Sequence, residues 1–137
     1  MDGLSGAASI IAVVQIAGSV ITYLNNVKDA PKECRNCMVE ISNSNTLLFK
    51  LHNRRSEASS HGSWHVEIQA LAVKDGPLDQ YKQALQHLLT KVEPKSKMRK
   101  FANVLTWNIL KEEVASILER MERLKSLVDI ALEMDHL

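Results

Sequence analysis

Aromatic side chains are scarce in this sequence, at 4% of its 137 residues. Strand-rich folds draw on aromatic and β-branched side chains, so their scarcity here favours helices. Apolar residues reach 45%, which is enough for one globular domain to form a core without disulfides or metals. We therefore expect residues 1–137 to form one all-α domain with a core of Leu, Ile, Val, Ala and Met.

Charge is missing from the N-terminal segment, where Asp2 is the one charged residue before Lys28. Residues 4–24 predict a helix that is apolar on nearly every side, with a narrow stripe of hydroxyl, amide and small side chains. Such a helix is buried by protein or by lipid. Its length meets the roughly 20 residues that cross a hydrocarbon core, but its hydroxyl groups and Gln15 disfavour a permanent membrane span. We expect a central helix, covered by the rest of a bundle.

The remaining sequence predicts four more helices, giving a bundle of about five. The second begins after Asp29, with Pro31 in its first turn, and carries an apolar stripe from Cys34 to Leu51. The third is a short one over residues 64–73 with Ala70 and Val73 on its apolar side. The fourth covers residues 78–92, and its apolar face consists of Leu78, Tyr81, Leu85, Leu88 and Leu89. Turn residues separate these segments.

The last predicted helix is the longest and covers residues 108–137, after a basic connector and a short apolar run. Its apolar residues from Val114 to Ala131 recur every three or four positions. Acidic residues lie at its end, where the helix dipole disfavours them. We therefore expect the chain to be part of a longer protein, with another module following.

Only two cysteines are present, Cys34 and Cys37. A zinc site needs four ligands, and no second pair follows at finger-like spacing. At positions i and i+3 of an apolar stripe, both thiols are expected to pack in the core. His61 and His65 have a spacing that can hold a metal on a helix, but the expected loop at His61 favours surface histidines. We expect no metal and no cofactor.

No combination of nucleophile, base and oxyanion site can be assembled from the sequence, so we expect a protein that is not an enzyme. The N-terminus lacks the basic residues of a secretory leader, and a cytosolic location is expected.

A basic cluster follows the fourth predicted helix and consists of Lys91, Lys95, Lys97, Arg99 and Lys100. It is typical of a solvated loop, and a second interpretation is attraction to anionic lipid, at about 1 kcal/mol for each basic residue. Nucleic acid is not expected as a partner, because no aromatic side chains or recognition-helix pattern accompany the bases.

The chain resembles the HeLo-like (HELL) N-terminal domain of fungal NOD-like (STAND) receptors in four stretches, which are residues 1–15 (MDGLSGAASIIAVVQ), 75–78 (DGPL), 105–114 (LTWNILKEEV) and 117–127 (ILERMERLKSL). These domains are related to HeLo domains and to the four-helix executioner domain of mixed-lineage-kinase-like proteins. Asn108 departs from the resemblance, because many members have proline there.

The resemblance implies a helical bundle that acts in fungal regulated cell death, in incompatibility or innate immunity. It implies a cytoplasmic resting state, self-association, and permeabilisation of the plasma membrane by the N-terminal helix. A downstream nucleotide-binding, repeat or amyloid module is implied as well. By position, the inserting residues here are Leu4, Ile10, Ile11, Val13, Val14, Ile16, Val20, Ile21 and Leu24, and the basic cluster contacts anionic lipid.

The sequence leaves a second hypothesis open. A helical bundle of this kind can also serve as a protein-interaction or oligomerisation module of a signalling receptor, with no activity on lipids. The two hypotheses differ in whether residues 4–24 can leave the bundle.

Overall fold

Helices dominate the computed structural model, which describes residues 2–27, 30–57, 70–92 and 99–134. Four long helices are present in these ranges: α1 (Asp2–Asn25), α2 (Lys32–Glu57), α3 (Pro77–Val92) and α4 (Arg99–Met134). No residue of the described ranges lies in a strand, and α4 is the longest helix with 36 residues. The predicted all-α class and the long C-terminal helix are thus confirmed.

Backbone hydrogen bonds mark where α2 and α3 begin. The carbonyl of Pro31 accepts from the N–H groups of Cys34 and Arg35, at 3.0 and 3.3 Å. The carbonyl of Gly76 accepts from the N–H of Gln80 at 2.9 Å, so that Pro77 is the first residue of α3. Proline suits this position because its missing N–H has no partner in the first turn of a helix.

The conformation of the turn before α3 is fixed by Asp75 and Gly76. Asp75 has a positive φ of 62°, and its N–H donates to the Asp79 carboxylate at 2.9 Å. Gly76 is buried, and a Cβ there would lie 2.7 Å from the Val73 side chain and 3.0 Å from the Val73 carbonyl. Only glycine therefore fits at position 76, which fixes how the chain turns into α3.

Contacts between the helices form a closed ring. α1 packs against α2 and α3, and α4 packs against the same two helices. In the described part of the chain, α1 and α4 make no close backbone contact, and neither do α2 and α3. The helices thus occupy the corners of a four-helix bundle in the ring order α1, α2, α4, α3.

The residues that line a small apolar gap show the relative directions of the four helices. It is lined by Ile10 near the start of α1, Leu51 near the end of α2, Leu78 at the start of α3 and Val128 near the end of α4. The beginnings of α1 and α3 therefore meet the ends of α2 and α4. α1 is therefore antiparallel to α2 and parallel to α3, and α4 is antiparallel to α3 and parallel to α2.

The core lies on the inner faces of the four helices. On α3 the predicted apolar face is buried, and it consists of Leu78, Tyr81, Leu85 and Leu88. Leu89 packs at the edge of this face. On α1 the buried residues recur every three or four positions, as one face of a helix does; they are Ile10, Val13, Ala17, Val20 and Leu24.

The expectation of a central N-terminal helix is wrong. Among the described helices, α1 occupies a corner of the bundle and contacts α2 and α3, which cover one face of it. Ile11 is 43% exposed, and Gln15, Ser19 and Thr22 are exposed as well. The polar and small stripe of the sequence faces solvent, which is why a corner position costs this helix little.

Two predicted boundaries also need correction. α4 begins at Arg99, nine positions before the predicted start at Asn108, because no proline or glycine interrupts the sequence after Arg99. The predicted third helix lies mostly outside the described residues, and residues 70–72 are helical. Its predicted apolar side is wrong there, since Leu71 is buried whereas Val73 is 51% exposed.

Candidate functional site

The residues predicted for membrane insertion lie on one helix but differ in burial. Four of them point into the core: Ile10, Val13, Val20 and Leu24. Three more pack at the edge of the core: Val14, Ile16 and Ile21. Ile11 lies on the solvent side, and the side chain of Leu4 falls outside the described part of the structure. Most of the predicted set is therefore protected by the other helices.

The outer face of α1 is uncharged and unobstructed. The Thr22 hydroxyl donates to the carbonyl of Gly18 at 3.1 Å, as hydroxyl side chains within helices commonly do. At Gly18 no atom lies within 4 Å of the place a Cβ would take. Gln15 and Ser19 are exposed on the same helix. The outer face therefore carries weakly polar groups and no charge.

Polar ties between α1 and its neighbours are few. In the described part of the chain, no ion pair joins residues 3–25 of α1 to another helix, because these residues carry no charged side chain. One side-chain hydrogen bond in the same part joins α1 to α2, from the Cys34 thiol to the carbonyl of Leu24 at 3.7 Å. A thiol is a weak donor, so α1 is held almost wholly by apolar contacts.

α2, α3 and α4, which we call the three-helix frame, are joined by ion pairs. The Lys125 ammonium of α4 lies 3.0 Å from the Glu40 carboxylate of α2. The hydrogen bond to Glu40 raises the pKa of Lys125 above its usual value. Both side chains are partly exposed, so the pair contributes modest stability and mainly fixes how α2 faces α4.

The second ion pair of the frame joins α3 to α4. The Lys91 ammonium lies 2.8 Å from Oε2 of Glu113, and Nδ1 of His87 lies 3.6 Å from the same oxygen. Glu113 is 7% exposed, and its other oxygen, Oε1, has no hydrogen-bond partner. Lys91 is thus the principal cation for a buried carboxylate.

Of the predicted basic cluster, the structure describes one side chain, that of Lys91. Lys91 is engaged with Glu113, while Arg99 and Lys100 lie in the first turn of α4 with side chains outside the described part. Lys95 and Lys97 fall outside the described residues altogether. Contact of the cluster with anionic lipid therefore stays a prediction.

A polar pair lies in the centre of the core. Tyr81 of α3 is fully buried and Ser44 of α2 is 2% exposed. Burial raises the pKa of Tyr81, and the neighbouring Ser44 hydroxyl partly offsets that rise. Neither hydroxyl makes a hydrogen bond of good geometry. Two polar groups therefore occupy the interior at a cost that ordinary apolar packing would avoid.

Both cysteines pack in the core as predicted, and neither forms a disulfide. Burial raises the pKa of Cys37 to about 12, with smaller contributions from Cys34 and Glu40. Burial also raises the pKa of Cys34. Thiols that stay protonated are poor nucleophiles and poor metal ligands. Within the described ranges no three metal-binding side chains are grouped together.

The sequence analysis did not identify Ser44 and Glu113 as buried polar residues, although their positions within apolar stripes indicate burial. Ser44 lies between Ile41 and Leu48 at helical spacing, and Glu113 lies in the same way between Leu110 and Ile117. All four flanking aliphatic residues are buried. A polar residue at a core position of an apolar stripe is therefore the pattern that locates these groups.

Hydropathy and comparisons with known proteins complete the description of the site. Among the described helices, none combines the length and the apolar character that a bilayer span requires. No model of a known protein family matches the chain, and neither does any curated protein or any solved structure. The sequence resemblance to HeLo-like domains and the placement of α1 are thus the observations that bear on function.

Proposed function

We propose that the chain is a HeLo-like domain of a fungal cell-death effector or NOD-like receptor, and that it permeabilises membranes. At rest it is cytoplasmic and closed. Self-association, driven by a downstream nucleotide-binding, repeat or amyloid module, releases α1 from the bundle. α1 then enters the plasma membrane, and the basic cluster contacts anionic lipid.

The observation that carries this proposal is the way α1 is attached. Its release exposes apolar side chains and breaks one weak thiol hydrogen bond, but separates no ion pair of residues 3–25, which carry no charge. Breaking a buried ion pair typically costs about 3–5 kcal/mol. A helix without such ties leaves the bundle at the cost of its apolar contacts alone, and acyl chains can replace those contacts.

Lipid covers more of α1 than the bundle does. Ile11 is 43% exposed in the closed state, and the half-buried aliphatic residues expose part of their surface too. Burying a large aliphatic side chain fully is worth about 1.5–3 kcal/mol, so insertion adds apolar burial that the bundle leaves unused. This gain favours the membrane-bound state.

Polar groups on α1 oppose insertion, and their cost is limited. The Thr22 hydroxyl already donates to the Gly18 carbonyl, so it enters hydrocarbon with its donor satisfied. Gln15 has no such partner in the described residues, and its amide is the most costly group of the outer face. The balance between these terms is small enough for clustering to decide it.

A leakage assay with Ile11→Glu tests the proposal. Purified protein is clustered on dye-filled vesicles that contain phosphatidylserine, and dye release is followed. Ile11 lies on the solvent side, so the variant keeps the closed fold, but a charge near the bilayer centre costs about 3 kcal/mol. We expect leakage to fall roughly a hundredfold.

Ile130→Glu is the matched control. Ile130 of α4 is 47% exposed, so this substitution places the same charge on an equally exposed isoleucine of the frame. We expect leakage close to that of the unmodified protein. Equal leakage by both variants, or none from the clustered unmodified protein, would favour the interaction module without lipid activity.

A further inference from the structure

We propose that the Lys91–Glu113 pair is a phosphate-sensitive switch, in which an anionic phosphate group competes with Glu113 for Lys91 and opens the α3–α4 contact. The phosphate is that of a lipid headgroup in the context of the proposed function, on which this inference rests. The pair thereby couples arrival at an anionic surface to release of α1.

The two side chains of the pair differ in their access to solvent. The Glu113 side chain is 8% exposed, whereas the Lys91 side chain is 38% exposed. Lys91 thus reaches from the protein surface to a carboxylate that solvent scarcely contacts. A phosphate outside the protein can approach the ammonium group but cannot approach the carboxylate.

Loss of Lys91 leaves Glu113 poorly compensated. Its Oε1 has no hydrogen-bond partner, and the remaining neighbour, the His87 imidazole, lies 3.6 Å from Oε2 with 66% of the side chain exposed. A buried carboxylate without a close cation is unfavourable in a medium of low dielectric constant. Hydration of the Glu113 carboxylate removes the cost of burying it without a close cation. Water reaches this carboxylate when α3 and α4 separate.

Opening of the α3–α4 contact acts on α1 through α3. α3 is one of the two helices that hold α1, and it also packs on α4. A displacement of α3 from α4 therefore disturbs one of the two surfaces on which α1 rests. No direct contact between α1 and α4 is needed for this coupling.

The sequence places further positive charge next to the switch. Residues 94–101 contain four basic residues and no acidic one, directly after the helix that carries Lys91. Basic residues of this kind attract anionic lipid at about 1 kcal/mol each. Phosphate groups are thereby concentrated at the end of α3 where Lys91 lies.

Glu113→Gln tests the switch, and Glu119→Gln is its matched control. Both variants remove one negative charge from α4. The Glu119 side chain is 81% exposed and pairs with the adjacent Arg120 of the same helix, so loss of its charge leaves the α3–α4 contact intact. Any general gain in attraction to anionic surfaces is therefore common to the two variants, and circular dichroism confirms that both are folded.

Two readouts separate the variants. Binding is measured by sedimentation with phosphatidylserine vesicles, and opening by hydrogen exchange of the amides of α3 and α4. Because a glutamine needs no cation, Lys91 of Glu113→Gln is free for phosphate, and we expect binding about fivefold tighter than that of Glu119→Gln. We expect vesicles to accelerate exchange in Glu119→Gln and in the unmodified protein, but not in Glu113→Gln.

A second arm replaces vesicles with inositol hexakisphosphate, which carries phosphate without a membrane. Accelerated exchange in the unmodified protein but not in Glu113→Gln supports the switch, even where vesicle leakage is absent and the membrane function fails. Identical exchange and binding in Glu113→Gln and Glu119→Gln overturn the switch, whatever the leakage assay shows. Leakage without any change of exchange at the α3–α4 contact overturns it as well.

Discussion

α1 is held in the bundle by apolar contacts, whereas the helices of the three-helix frame are also joined by ion pairs. α1 offers aliphatic side chains on one face and no charge on the other. α2, α3 and α4 are joined by Lys125–Glu40 and Lys91–Glu113. Apolar contacts are non-directional and exchange readily between protein and lipid, whereas ion pairs define how particular helices face each other. The two regions of one bundle thus differ in their polar contacts, and the proposed release of α1 depends on this difference.

The largest expected effect comes from matched deletions in the two regions. Ile117 of α4 and Ile10 of α1 are both buried. We expect Ile117→Ala to lower the free energy of unfolding of the frame by about 3 kcal/mol, within the usual range for such core truncations. Ile10→Ala should lower the frame's unfolding free energy by less than about 1 kcal/mol, because α1 separates first.

Urea unfolding in a Trp64→Phe background, followed by the fluorescence of Trp107 on α4, measures this difference, with circular dichroism as a second probe of total helix content. In Ile10→Ala the loss of helix content should begin at lower urea than the fluorescence change. Coincident transitions with equal losses of stability in both variants would show that α1 and the frame unfold as one unit.

Removing Lys91 should be the next largest effect. We expect Lys91→Ala to destabilise the frame by about 2 kcal/mol, between the values for buried and for exposed ion pairs, because Glu113 stays buried without its cation. Lys125→Ala is the control, since Glu40 is 36% exposed and can be hydrated in place. Its expected cost is under about 1 kcal/mol. Thermal unfolding measures the loss of stability in Lys91→Ala and in Lys125→Ala. Equal losses in the two variants would contradict this prediction.

Removing the central polar pair should stabilise the protein. In the double variant Ser44→Ala with Tyr81→Phe, two hydroxyls without well-formed hydrogen bonds are replaced by apolar groups of nearly the same shape. We expect a gain of about 1 kcal/mol, measured by urea unfolding. Tyr23→Phe on α1, whose ring is partly exposed, should change stability by less than about 0.5 kcal/mol. A loss of stability in the double variant would show that the hydroxyls are well bonded.

The smallest effect concerns alkaline pH. Burial raises the pKa of Cys37 to about 12 from an unperturbed value of 9.0, so the unfolded chain releases this proton first. Its contribution to stability is complete below pH 9 and is lost as pH rises toward 12. We expect a loss of about 0.8 kcal/mol from this thiol at pH 9.5. Unfolding measured at pH 7.5 and 9.5 should show a weaker pH dependence in Cys37→Ala, and identical dependence in both proteins would exclude this origin.

The sequence predicted the fold class because apolar spacing is a local property. The stripes from Cys34 to Leu51 and from Leu78 to Leu88 specify which helix faces are buried, and those predictions were confirmed. The position of α1 could not be predicted, because an uncharged helix such as residues 4–24 suits a central position and a corner position equally. Which helices become neighbours depends on contacts between distant segments.

The candidate site likewise combines features that local sequence spacing predicts with features that depend on contacts between distant segments. Burial of the aliphatic residues of α1 followed from their spacing, whereas the engagement of Lys91 with Glu113 joins residues on two different helices. Nothing in the neighbourhood of Lys91 in the sequence identifies that partner. The early start of α4 was missed because Asn103, Thr106 and Asn108 form helix less readily than the residues after them, and packing outweighs that preference.

Native-state hydrogen exchange tests most directly whether α1 is a separable part of the bundle. The amides of α1 and α4 are compared at low denaturant concentrations without lipid. We expect the best protected amides of α1 to exchange through an opening at least about 2 kcal/mol less costly than that of α4, which corresponds to roughly thirtyfold faster exchange. Equal opening free energies in α1 and α4 would contradict the separation of α1 from the three-helix frame.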